Sequence, residues 1–174
     1  MARIVSRRPA VAVFAVLAVA CSSSSKPVPV TAAGVRALLA ATHEVDYPDE
    51  HFSVIGTPVE GADGHGGTVS AAMGERDPSA DGKGMIVAFW HNATFVGFAQ
   101  DFEVLALNSV RSAGPSRFTV LYVNYRDSDP LCCPTGKPPL LPIDYRWDGK
   151  HFVPDQPLPT NLYRKPAEHV VMTH

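Results

Sequence analysis

The chain has 174 residues, with 15 Lys plus Arg against 17 Asp plus Glu, a formal net charge of −2 and 45% hydrophobic residues. Its basic residues are scattered rather than clustered, which argues against a nucleic-acid-binding surface. Charged residues make up only 18%, while there are 13 Gly and 16 Pro, a composition that suits a loop-rich, strand-rich exported domain.

The first element is a targeting segment, residues 1–20. Arg3, Arg7 and Arg8 form a positive start, and Pro9 to Ala20 carries no charge and is nearly all Ala, Val, Leu and Phe. That run is too short for a spanning helix, which needs about 20 apolar residues. It reads as the apolar region of an export signal. Leu17-Ala18-Val19-Ala20-Cys21 resembles the lipobox of bacterial lipoproteins, although Ala18 stands where Leu is usual. The resemblance implies cleavage after Ala20, a diacylglycerol group on the Cys21 thiol, and often a fatty acid such as palmitate on the new amino group. An ordinary signal peptide cut at Ala18-Val19-Ala20 is the alternative. Cleavage would remove three arginines and no acids, taking the formal charge from −2 to −5 over a mature chain of 154 residues. That length is one domain with room for a core. The acidity makes the domain a poor binder of nucleic acid or anionic headgroups.

Residues 21–30 follow as a tether, with Ser22 to Ser25 leading into Lys26-Pro27-Val28-Pro29. A helix is expected from Thr31 to about His43, capped by Thr31, with Val35, Leu38, Leu39 and Thr42 on one face. Short strands then alternate with turns. They are expected at Phe52 to Val59, Thr68 to Met73, Met85 to Trp90, Thr94 to Ala99, Val104 to Val110, Arg117 to Tyr125, Leu140 to Trp147 and Lys150 to Val153. His91-Asn92-Ala93 predicts a tight hairpin, and Asp148-Gly149 a two-residue hairpin turn. Arg117 to Tyr125 is apolar on both faces and is placed centrally in its sheet. The globular domain is taken as residues 31–159, with an extended tail at 160–174. The expected fold is α+β: one N-terminal helix on an antiparallel sheet of about six to eight strands, with a β-sandwich or open barrel plugged by the helix as the alternative.

The C-terminal half carries Val123-Asn124-Tyr125, then Asp129-Pro130-Leu131-Cys132-Cys133-Pro134-Thr135-Gly136, then Asp144-Tyr145-Arg146-Trp147-Asp148-Gly149. Behind a lipobox, and with Phe95-Val96-Gly97 in the preceding hairpin, this resembles the LppP/LprE lipoprotein family of actinobacteria, mycobacteria especially. The resemblance covers roughly residues 32–159. It implies an envelope-facing lipoprotein domain and carries over no catalytic residues.

With Cys21 acylated, Cys132 and Cys133 remain. Outside the cytoplasm a disulfide is permitted. Neighbouring Cα atoms are ~3.8 Å apart, against about 4.4–6.8 Å in ordinary disulfides, so a bond between the two closes a strained ring. Three readings stay open: a pair that rigidifies a turn, a flat apolar plaque that contacts a ligand, or thiol redox chemistry. The third lacks an activating cation in the neighbouring sequence.

Other candidates are weaker. His43-Glu44, Asp46 and Asp49-Glu50-His51 form an acidic and histidine patch, read as a solvated loop rather than a metal site. Gly61 to Gly67 is read as a flexible loop, with no Gly-Lys-Ser/Thr to make it a phosphate loop and no partner for His65. No Gly-x-Ser-x-Gly elbow is present. Trp90, Phe95, Phe98, Tyr122, Tyr145 and Trp147 are read as core and cross-strand pairs. No catalytic residue, cofactor or metal is assigned. The expectation is a non-enzymatic, lipid-anchored domain at the extracytoplasmic face of the cell membrane, binding an envelope protein, glycan or lipid and no nucleic acid. An extracytoplasmic enzyme (thiol redox or wall hydrolase) or a lipid carrier is the alternative.

Overall fold

The computed structural model describes residues 28–45, 47–77, 84–126, 129, 136–159, 162 and 170–172. The targeting segment lies outside these residues, as does most of the tether and of the tail.

The helix α1 covers Ala32–Ala40, and Thr31 caps it by accepting a 3.0 Å hydrogen bond from the Gly34 amide. Val35 and Leu39 are fully buried along its inner face. It ends short of the expected His43. Ala41 leaves helical geometry, and Thr42–Glu44 becomes a short strand, β1, paired antiparallel with β10, Val170–Met172. A β-branched Thr42 gains a ladder partner there, and its hydroxyl donates to Leu38 O at 2.8 Å.

The single large sheet is not what forms. Among the described residues there are two four-stranded antiparallel sheets, β2-β3-β4-β5 and β6-β7-β8-β9, besides the β1-β10 pair. The first holds β2 (His51–Ala62), β3 (Thr68–Asp77), β4 (Met85–His91) and β5 (Thr94–Phe98). The second holds β6 (Leu107–Ser112), β7 (Arg117–Val123), β8 (Leu140–Trp147) and β9 (Phe152–Pro154). The physical reason is legible in β4. Met85, Val87 and Phe89 join one buried cluster, and Ile86, Ala88 and Trp90 join another. A strand apolar on both faces must be covered on both sides. Helix α1 covers one face of the first sheet and the second sheet covers the other. The order of layers is therefore helix, sheet, sheet, which keeps the α+β description and adopts the sandwich alternative.

Between the sheets, Phe89 stacks on Phe152 at 4.4 Å and on Phe118 at 5.9 Å, with Tyr145 at 5.4 Å. Each fully buried aromatic contributes about 2–3 kcal/mol by area, and each ring pair roughly 0.5–1.5 kcal/mol more. On the helix side the fit depends on Gly74. A Cβ there would lie 3.2 Å from both Leu39 methyls and 3.3 Å from Ile86 Cγ1, so the absent side chain is what lets the helix approach.

Strand β7 is central in its own sheet, as expected. However, Phe118, Val120 and Tyr122 alone enter the core, while Leu121 and Val123 are only partly buried on the outer face. Two turns also test local expectations. Asn92 and Ala93 both have positive φ, at 48° and 63°, giving the tight hairpin at His91↔Thr94. The second is longer than two residues: Trp147 pairs with Phe152 across residues 148–151. There Asp148 Oδ1 accepts from the Lys150 and His151 amides at 2.8 and 2.7 Å, so the side chain caps a wider loop.

Candidate functional site

Cys21, expected to be lipidated, and the adjacent Cys132 and Cys133 lie outside the described residues. The roots of the cysteine loop are described. Val123 pairs with Leu140 at the end of the β7–β8 ladder. The Asn124 amide donates to Pro139 O at 2.9 Å, one step beyond it. Tyr125 is buried at 8% exposure, and Asp129 Oδ2 accepts from the Arg126 amide at 2.9 Å. Residues 123–126 and 136–140 therefore form a hydrogen-bonded neck at this end of the second sheet.

The best-organised polar cluster is one that the sequence reading took for a flexible loop. Asp63, 6% exposed, sits at the end of β2. Its Oδ1 accepts from the His65 and Gly67 amides, both at 2.7 Å, and Asp63 N donates to Gly67 O. Gly64 and Gly66 take positive φ of 79° and 93°. Gly67 is compulsory for another reason, since a Cβ would fall 2.3 Å from Asp63 Oδ2. An Asp followed by glycines that curl its own backbone back to it was the available signal. His65 contributes its amide, and its ring is not what holds the loop.

Asp63 Oδ2 meets His91 Nε2 at 2.9 Å. The His91 side chain, then amide donation from His65, hold the Asp63 carboxyl down at about 2, against the opposing effect of burial. His91 in turn lies flat on Trp147, 4.8 Å between ring centres and 23° between planes. Asn92 adds its Oδ1 as acceptor for the Thr68 amide at 2.9 Å. Ser116, from the β6–β7 turn, donates its hydroxyl to Asp63 O and its amide to Ala62 O. Three elements of the first sheet are thus clamped to two of the second. The pattern has an Asp–His pair, but the Ser116 hydroxyl is engaged by Asp63 O, so it does not complete a nucleophile relay.

The acidic patch also departs from the solvated-loop reading. Glu44 is 1% exposed, and Glu50 forms an ion pair with Arg76. Arg76 Nε lies 3.0 Å from Glu103 Oε2, and the guanidinium sits 5.0 Å over the Tyr47 ring. Burial works against the Arg76 charge, but the Glu50 hydrogen bond and the fields of Glu103, Glu50 and Glu44 outweigh it and raise its pKa. This is a charge-rich knot that closes the opposite end of the first sheet. Among the described residues, no group of three or more His, Cys, Asp or Glu is placed to hold a metal ion.

The aromatic residues fall largely where expected. Trp90, Phe95 and Phe98 pack on the helix side, and Tyr122 and Tyr145 lie fully buried between the sheets. Tyr122 donates toward Gln100 Oε1 at 3.3 Å, and the two phenols share a 2.7 Å hydrogen bond. Burial pushes Tyr145 up to about 12 and Tyr122 well above its usual range, so neither is a phenolate at neutral pH. A surface groove of about 460 Å³ lies beside β9, lined by Arg146, Asp148, Val153, Pro154 and Asp155.

Among the described residues no helix is long and apolar enough to cross a membrane. Residues 67–150 match the family model described as LppP/LprE lipoprotein. The match runs from the end of the Asp63 loop to the turn after Trp147, and so includes His91 and both adjacent cysteines but not Asp63. No curated protein and no solved structure matches the chain.

Proposed function

Because residues 67–150 match the LppP/LprE lipoprotein family model, we propose that this chain is a lipid-anchored binding domain of the extracytoplasmic membrane face, held there through acylated Cys21. The family match is the observation that carries the reading, and it is supported by a cysteine, Cys21, that ends an apolar run N-terminal to the matched residues. One acyl chain binds a bilayer only marginally, at about 0.8 kcal/mol per buried methylene, so two or three chains on Cys21 are what make the anchor lasting. The hydrogen-bonded roots at Val123, Asn124, Pro139 and Leu140 support this end of the second sheet as the place that meets an envelope protein, glycan or lipid, because an ordered binding surface loses less entropy on binding.

The test is fractionation of cells expressing the full chain. The wild-type protein should stay with membranes through a high-salt wash, and Cys21→Ser should release it or leave it unprocessed. A Cys21→Ser protein that is processed normally and remains membrane-bound would overturn the anchor. For the binding role, Cys132→Ser with Cys133→Ser should weaken capture of envelope partners while leaving the anchored domain folded, and unchanged capture argues against the loop.

A further inference from the structure

Four turns gather at one end of the sandwich. In the first sheet this end is marked by Ala62↔Thr68 and His91↔Thr94, and in the second by Ser112↔Phe118 and Trp147↔Phe152. The Ser116 amide bond to Ala62 O and the His91 stack on Trp147 tie the two sets together. The N-terminal segment arrives at this same end: the Thr68 hydroxyl donates to Val28 O at 3.2 Å, and Val30 is buried against the first sheet. The opposite end is marked by His51↔Asp77, Glu75↔Met85 and Val123↔Leu140.

We propose that the end carrying residues 63–67, 92–93, 113–116 and 148–151 faces the lipid headgroups, and that the Val123–Leu140 end points away into the envelope. The inference rests on Cys21 being the acylated anchor, as proposed above. Seven residue steps lead from Cys21 to Val28, and a random chain of that length has a root-mean-square span of roughly 15 Å. Fully extended it reaches about 25 Å. Strand β7 alone, with 7 residues, spans about 20–25 Å from Arg117 at the near end to Val123 at the far end. To bring the far end to the bilayer, the tether would have to run nearly taut along the whole domain, which is entropically costly.

Charge favours the same orientation. Acidic side chains are denser at the far end, with Asp49, Glu50, Glu75, Asp77 and Glu103 against Arg76, whereas at the near end Asp63, Asp144 and Asp148 are offset by Lys150, Arg117 and Arg146. An anionic leaflet repels the first set over about a Debye length, ~8–10 Å. Val123 and Leu140, the roots of the cysteine loop, then lie at the outward end.

The experiment is energy transfer to headgroup-labelled acceptor lipid. The full processed chain, with its native cysteines, is reconstituted into phosphatidylcholine–phosphatidylglycerol vesicles, and a fluorescent amino acid replaces either Lys150 or Lys137. Both positions are exposed, so neither replacement disturbs the core. Only protein that floats with the vesicles is scored. Transfer should be several-fold faster from position 150 than from position 137. Equal transfer, or faster transfer from 137, overturns the orientation while leaving the anchor standing. Wild-type protein that fails to float overturns the anchor and the orientation together.

Discussion

Asp63 is the residue on which the near end of the sandwich turns. Its carboxyl is held at about 2 instead of 3.8, so it contributes stability that is complete above pH 4 and is lost as the pH falls toward 2. The full shift would be worth more, but the loop sits at the rim of the domain where solvent screens it, and a contribution on the order of 1–2 kcal/mol is appropriate. Asp63→Asn should therefore destabilise the protein at neutral pH, with the gap to wild type closing between pH 4 and 2 in urea unfolding followed against pH. A gap that persists undiminished at pH 2 would mean that the side chain acts through shape rather than charge. Tyr122 and Tyr145 titrate in the other direction. Their raised pKa values favour the folded state below pH 10, and that advantage is lost as the pH rises through about 12. An ultraviolet titration should find two phenols silent until the fold gives way, and Tyr122→Phe should remove one of them at a stability cost of about 1–3 kcal/mol. At this scale the sequence was a poor guide. The Gly61–Gly67 stretch looks like slack chain until Asp63 is seen to gather it, and Glu44 and Glu50 look solvated until Arg76, far along the chain, comes to meet them.

Elements were more legible. The strand spans Met85 to Trp90 and Leu140 to Trp147 follow from apolar runs bounded by turn formers, and the structure places both within a residue of expectation. The helix start at Thr31 follows from its cap, whereas its end does not, because Thr42 pairs with residues more than a hundred positions away. The error about one sheet has a single source. Two alternating apolar faces on β4 and an outwardly apolar β7 give similar patterns, and only packing separates a strand covered on both sides from one with an open face. The helix layer depends on Gly74 for its close approach. Gly74→Ala should cost about 1–3 kcal/mol by overpacking Leu39 and Ile86. Thr31→Ala should cost about 1 kcal/mol through the lost cap. Thermal melts of the two single variants and the double variant should show additive losses, since the sites lie at opposite ends of α1 and share no contact partner. Clear non-additivity would mean that the helix docks less independently of its cap than the geometry implies.

At the scale of the whole molecule, the helix and the two sheets give the domain two distinct ends, and the proposal above turns the end that receives Val28 toward lipid. The family match supplies the word lipoprotein, and the sequence before residue 28 supplies the cysteine that would carry the lipid. Intact mass of the protein extracted from membranes tests the central claim most directly. The account expects a chain that begins at Cys21 and is heavier than its 154 residues by a diacylglyceryl group, with or without a further acyl chain. An unmodified polypeptide beginning at Cys21, or a chain that still carries residues 1–20, would contradict it.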